Sequence, residues 1–547
     1  MKLRLRWVSA SVLLISLFLL SSLTIAQTSQ PSTGNRPDRI EWFRDLGFGM
    51  FIHWSVDSQI GPSISHSMVG ADQEFLRKYV EELPRTFNPR KFYPQDWASL
   101  AKLAGMKYVV FTTKHHAGFC MFDTATTDYS IMHTSFHRDV TAEIVKAVRE
   151  QGLAMGFYYS PDDFWWLYKN GKALQRHDPS VIPANNPGLM AHDQAQIREL
   201  LGHYGPIDMM FFDGEPEGLK DLAWKLQPST VVTRGEIQTP ELTIPGVPLE
   251  GPWEANFTMG TSWEYKPTNE NYKSGTELIS MLVETRAKGG NLLLNVGPKP
   301  DGELAIEQEQ RLREMALWMM VNSECIYGVR PWIVTNENDY WFTKLKDQDT
   351  LYVIVKEKTP WEYGTWKDIV LHSVRATDQT QVSVLSENGT VLEYRPQVDP
   401  KPSFQQQEDG LHVRAMFTLR LSDNRRWPNP VVVKLTHVRP ALTPPKIDTV
   451  AARWDAASSS ATASGRLMSL GDAEQVQVGF EFRDITGLDV SERTGSWTAA
   501  PLTLQRSPGE FSAKIVGIST GHTYEMRAVV KHPLLTLYGR EVRLAVP

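Results

Sequence analysis

The sequence predicts an α/β fold, a (β/α)8-like (TIM-type) barrel, followed by a β-sandwich and a C-terminal fibronectin-III-like β domain. Three observations carry this. Short, wholly apolar runs recur between residues 47 and 296, as strands buried on both faces require. Segments with helical spacing separate them. After Pro331 the pattern changes to short alternating stretches of the kind that build sandwiches.

Taken in chain order, Lys2, Arg4 and Arg6 precede an apolar stretch from Trp7 to Leu23, and Thr24-Ile25-Ala26 offers small residues for cleavage. This is the order of a secretory signal peptide over residues 1–26, and the stretch is shorter than the ~20 residues of a membrane-spanning helix. The chain is therefore expected to be exported, periplasmic or extracellular, with no membrane attachment after cleavage. Residues 37–333 form the expected barrel. Its strands are Gly47 to His53, Tyr108 to Thr113, Leu153 to Tyr159, Ile207 to Phe212, Val231 to Arg234 and Asn291 to Val296. Its helices are Pro94 to Ala104, Val140 to Glu150, Asp193 to Tyr204, Thr276 to Lys288 and Glu307 to Asn322. The size and the missing phosphate-loop glycines favour a barrel over a doubly wound sheet. Residues 334–438 read as the sandwich and the proline-rich stretch 439–448 as a linker; 449–547 reads as the last β domain.

Composition agrees. A chain of 547 residues, 41% hydrophobic and 22% charged, can bury several cores, which excludes disorder and coiled coil. The net charge of -6 shows no basic footprint for nucleic acid. Two cysteines cannot make a disulfide scaffold or a four-cysteine zinc site, so Cys120 and Cys325 are expected to be free and buried.

Catalytic groups of a barrel come from the carboxyl ends of its strands. There the runs lead into His53, then His115 and His116, then Tyr158-Tyr159-Ser160, then Asp213, then Arg234. Asp213-Gly214 could be a turn, His53 a core histidine and Arg234 a structural ion-pair partner. Polar residues at the same place on five successive runs instead describe a pocket lining.

Seven segments carry a resemblance: FGMFIHW (48–54), FTTKHHAGFCMFDT (111–124), GFYYSPDD (156–163), YGPIDMMFFDG (204–214), TRGEIQTPE (233–241), PWEANFTMGTSWEY (252–265) and GGNLLLNVGPKPDGE (289–303). Together they resemble the retaining α-L-fucosidases of glycoside hydrolase family 29. The resemblance implies that Asp213 is the nucleophile, that His53, His115, His116, Tyr159 and Arg234 line the fucose subsite, and that Trp263 packs on the sugar. For the acid/base it leaves Glu241 first, Glu254 second and Glu236 third. Ser55, Ala117 and Phe211 depart from the family pattern, and Ser65-His66-Ser67 stands where a Glu-Trp pair is usual. The implied substrate is a fucosylated oligosaccharide or glycoconjugate, with no cofactor and no metal. Three alternatives stay open: action on a related sugar such as an α-L-galactoside, a metal-dependent hydrolase using the histidines and Asp213, and a non-catalytic glycan binder.

Overall fold

The computed structural model describes residues 34–547 except 62–64, 177, 358, 422–428, 458–459 and 489–495; the expected leader lies outside the described residues. Among them, no helix is long and apolar enough to cross a membrane.

Seven parallel strands form one sheet: β1 (Phe48–Ile52), β2 (Tyr108–Lys114), β3 (Ala154–Tyr159), β4 (Met209–Phe212), β5 (Val231–Val232), β6 (Glu254–Thr258) and β7 (Asn291–Val296). Their order is β5-β4-β3-β2-β1-β7-β6. Both faces of this sheet are buried, which is why its strands read as unbroken apolar runs. Alternate residues divide between two cores. Phe51, Val110, Tyr158, Met209, Phe211 and Leu293 fill the barrel interior with Phe43 and Tyr108. Met50, Phe111, Phe157, Phe212 and Leu294 face the helices. Fully burying one such ring contributes about 2 to 3 kcal/mol.

β6 is the strand that sequence reasoning did not find, because Glu254, Asn256 and Thr258 break the apolar pattern. Beyond it, residues 238–242 make parallel bridges, Gln238 to Trp253 and Glu241 to Asn256, so an irregular segment rather than an eighth strand occupies the gap between β5 and β6. This brings Glu241 to the barrel mouth.

The helices follow their local signals. Asp139 caps the helix Val140–Glu150 by accepting from Ala142 N–H, and Val140, Ile144 and Val148 form its buried stripe. Ser274 and Glu277 form a capping box at the start of Gly275–Ala287.

A sandwich of antiparallel sheets follows from Val329 to Pro440 and docks on the barrel through Tyr352, Ile354 and Val432. Two further antiparallel sheets make the last domain. The expected linker is shorter than its composition suggested: Pro440 ends one strand and Lys446 begins the next, because only the stretch 441–445 lacks a ladder partner. Cys120 and Cys325 are both free and buried.

Candidate active site

Asp213 directly follows β4, its N–H donating to Tyr159 O at 3.1 Å. Gly214 beside it has φ +145, and a Cβ there would meet Pro161 Cδ at 3.2 Å, so this corner requires glycine. Asp213 Oδ1 accepts from Arg234 Nη1 at 2.9 Å and Oδ2 accepts from Tyr158 Oη at 2.7 Å. His116 Nε2 lies 3.4 Å from Oδ2, an ion-pair distance without hydrogen-bond geometry, and Arg176 Nη2 lies 3.7 Å from Oδ1. Burial works against the charge of Asp213, but His116, Arg234 and Tyr158 outweigh it and hold the carboxyl well below its usual range. The group is held as an anion at the barrel mouth.

The three expected histidines divide into two electrostatic types. His53 Nδ1 pairs with Asn295 Oδ1 at 2.6 Å, which requires the proton on Nδ1 and leaves Nε2 as an acceptor. Burial drives its pKa down to about 4. His115 Nδ1 pairs with Ser65 Oγ at 2.6 Å, its ring stacks on Tyr158, and burial likewise pushes it well down. Both are neutral rings suited to sugar hydroxyls. At His116 burial again opposes the charge, but the carboxylates of Asp162 and Asp213 prevail and raise it. Its Nδ1 engages Ser160 Oγ at 2.5 Å and lies 3.3 Å from Asp162 Oδ2. Trp263 packs its ring 5.0 Å from His53 and 6.1 Å from Phe51, forming an apolar wall of the same pocket.

Arg234 ties the site together. Nη1 serves Asp213, Nη2 donates to Glu241 Oε2 at 3.0 Å, Nε donates to Thr239 Oγ1 at 3.1 Å, and the guanidinium lies over Phe211. Glu241 is 45% exposed, open to an incoming leaving group.

Three expectations are not met. Tyr159 is outside the pocket: the pleat turns it to the helix side, where its hydroxyl lies 2.7 Å from both Asp193 Oδ1 and Gln196 Oε1 and donates its one proton between them. Tyr158 takes the place expected of it. Glu254 begins β6, about 13 Å in strand length below the mouth. There it is fully buried, accepts from Tyr108 Oη at 2.5 Å, and has its pKa raised to about 7 by desolvation, which outweighs the Tyr108 hydrogen bond and the Arg234 charge. Glu236 pairs with Lys220 at 3.3 Å, away from Asp213.

The third run also ends on Tyr158 and Ser160, to which sequence reasoning gives no separate role; it names Ser65 only as a departure from the family pattern and misses Asp162, Asn295 and Arg176. Tyr158, Ser160, Asp162 and Asn295 lie inside quoted segments, where strand phase and strand end were the signals available, whereas Ser65 lies in the short helix Ser65–Met68, outside them. Arg176 comes from the loop after the helix Phe164–Lys169, where nothing marked it.

Donor atoms of His115, His116 and Asp213 lie within 4.8 Å of one another. The set does not suit a cation: Asp213 already accepts from Tyr158 and Arg234, and the guanidiniums of Arg234 and Arg176 would repel a metal ion. A cavity of about 970 Å³ lies elsewhere, on the barrel flank between the helices Pro94–Leu103 and Ile306–Asn322, and contains none of these residues.

An anionic aspartate beside a second carboxylate, neutral imidazoles and an aromatic wall, all at the carboxyl-terminal mouth of a barrel, define a glycoside hydrolase. A family profile described as Alpha-L-fucosidase matches residues 20–324. The plasma α-L-fucosidase of Rattus norvegicus is 31% identical over 360 residues, covering 57% of this chain and 76% of the relative. The α-L-fucosidase of Branchiostoma floridae is 30% identical over 362 residues, covering 57% and 78%. Among solved structures, α-L-fucosidase isoenzyme 1 from Paenibacillus thiaminolyticus superposes with a TM-score of 0.58 at 28% identity, over 73% of this chain and 98% of that one. The α-fucosidase of Thermotoga maritima in complex with fucose gives 0.58 at 27% identity, over 72% and 96%. The chain belongs to the α-L-fucosidase family and hydrolyses α-L-fucosides.

Proposed function

We propose that the enzyme removes terminal α-L-fucosyl residues from glycans by double displacement, with Asp213 as nucleophile and Glu241 as acid/base. The observation that carries this reading is the Arg234 bridge, one guanidinium in contact with both carboxylates. A retaining pair stands about 5 to 5.5 Å apart, a separation that one guanidinium can span when its two terminal nitrogens serve different carboxylates.

Breaking the glycosidic bond builds positive charge at the anomeric carbon and negative charge on the leaving oxygen. Asp213 attacks the carbon and forms a fucosyl-enzyme ester while Glu241 donates a proton to the leaving oxygen. Glu241 then removes a proton from water, which attacks the same carbon and releases fucose with its configuration retained. His53 and His115 orient the hydroxyls as neutral partners. The Trp263 ring meets the 6-deoxy methyl group, and an α-L-galactoside would place an unpartnered hydroxyl there. The enzyme reaches its glycans outside the cytoplasm through the leader at residues 1–26.

A panel of aryl glycosides tests this. Asp213→Asn should lose at least about 10³-fold in kcat on an aryl α-L-fucoside. Glu241→Ala should slow poor leaving groups far more than activated ones and regain rate with azide. Near-parental activity of Glu241→Ala on a poor leaving group would place the acid elsewhere. First release of β-L-fucose would make the enzyme inverting, and preference for the L-galactoside would overturn the sugar assignment.

A further inference from the structure

Two buried carboxyl groups lie next to the sugar pocket without touching Asp213, and the mechanism above gives them no role. Asp57 sits in the short helix Val56–Gln59 after β1, and Glu264 follows Trp263 in the loop after β6. Their relative exposures are 1% and 3%.

Asp57 Oδ2 accepts from Tyr79 Oη at 2.5 Å and from Ser65 N–H at 2.8 Å. Its other oxygen, Oδ1, is buried with no hydrogen-bond partner, and so is Glu264 Oε2. Glu264 stands within hydrogen-bonding reach of the Asp57 carboxyl; oxygens of two carboxyls cannot hydrogen-bond each other unless one carries a proton, and two buried anions in contact would repel strongly. A single proton between them satisfies both orphaned atoms.

Each partner is joined to a wall of the fucose subsite. Asp57 holds the N–H of Ser65, whose hydroxyl pairs with His115 Nδ1. Glu264 is the residue after Trp263, which packs on His53 and whose carbonyl accepts from Asn295 Nδ2 at 2.6 Å. The loop has no slack behind it: a Cβ on Gly297 would fall 2.6 Å from Tyr265 N.

We propose that Asp57 and Glu264 share one proton as an acid pair that positions the His115 and Trp263 walls of the subsite relative to each other. Its loss at alkaline pH loosens sugar binding. The subsite itself rests on the fucosidase reading; the shared proton does not. Burial first, then the Asp57 charge and hydrogen bond, raise Glu264 far above the usual carboxyl range. Asp57 is the charged neighbour acting on Glu264, and the groups facing Asp57 are Glu264, Tyr79 and Tyr129, both tyrosines pushed well up by burial. Asp57 reaches one further titratable group, His115, through Ser65.

The sign follows from linkage. A carboxyl whose folded pKa is raised binds its proton more tightly in the folded state, so stability falls as pH rises from the unfolded pKa, 4.5 for Glu264, toward the folded one. Across that window the unfolding constant grows by up to about tenfold per pH unit.

The test compares the parent with Glu264→Gln, whose amide donates to Asp57 but does not titrate. Thermal midpoints are measured from about pH 5 to 9, together with KM and kcat for an aryl α-L-fucoside. The parent should lose stability with rising pH relative to the variant. Its KM should climb at the alkaline end, while the variant's KM stays flat and both keep the same kcat limb. Parallel stability curves for the two proteins would overturn the shared proton. A KM that rises equally in both would overturn the positioning role, even with fucoside turnover intact. Asp57→Asn supplies a second variant: it removes the neighbouring charge, so the stability slope should shrink while Glu264 remains, and an unchanged slope counts against the pair.

Discussion

Tyr158 illustrates how much one hydroxyl can decide. It donates to Asp213 Oδ2 at 2.7 Å while its ring stacks on Phe211 and His115, which fixes the hydroxyl by packing on both sides. Hydrogen bonds to charged groups contribute about 1.5 to 3 kcal/mol. Tyr158→Phe keeps the ring and removes the donor, so kcat/KM should fall between about tenfold and 150-fold. The direction of the pH effect is also set. Tyr158 is among the groups that depress the Asp213 pKa, so its loss raises that pKa and moves the acid limb of kcat/KM to higher pH. Profiles of parent and variant with superimposable acid limbs would remove Tyr158 from the support of the nucleophile.

At the scale of elements, strand phase and strand end explain both what the sequence disclosed and what it hid. The strand ends bearing His53, His115, His116, Asp213 and Arg234 were readable because unbroken apolar runs stopped abruptly at polar residues. Phase within a run was not readable: in Gly156-Phe157-Tyr158-Tyr159 both faces are buried, so alternation carries no signal, and Tyr159 was placed in the pocket in error. Tyr159→Phe tests the correction. It leaves Gln196 Oε1 without its donor on the helix side, while Asp193 Oδ1 keeps Lys114 Nζ at 3.0 Å, so stability should drop by about 1 to 3 kcal/mol while KM stays near the parent's. A raised KM at parental stability would return Tyr159 to the pocket. The short polar strand β6 hid Glu254 in a different way, because a Trp-Glu pair in a motif does not show which end of a strand it occupies. With a folded pKa of about 7 against 4.5, Glu254 makes stability fall as pH climbs between those values, by about 3 kcal/mol in all. Glu254→Gln should remove this share of the slope, leave the share due to Glu264, and keep kcat intact, and thermal midpoints across the range with fucoside assays check both halves. Asp57 with Glu264 belongs to the same class: contacts between distant loops leave no periodic trace.

For the molecule as a whole, the question is whether the last β domain is an independent module, as the proline-rich stretch before it suggested. The packing points the other way. Leu535 lies in the turn between the strands Thr523–Lys531 and Thr536–Ala545 of the last domain, yet it is buried in the core of the preceding sandwich with Trp332, Phe342 and Val374. Leu537 packs against the cores of both domains. The same domain reaches the barrel: a Cβ on Gly246, five residues after Glu241, would lie 2.9 Å from Glu541 Cδ. With only residues 441–445 between the flanking strands, the two β domains share apolar surface and should unfold together. Leu535→Ala removes the shared side chain and should cost about 2 to 4 kcal/mol. Calorimetry of the parent should show the two β domains melting in one transition, and the variant should release the last domain as a separate, earlier one. Separate transitions already present in the parent, with neither moved by Leu535→Ala, would make the last domain an independent module after all.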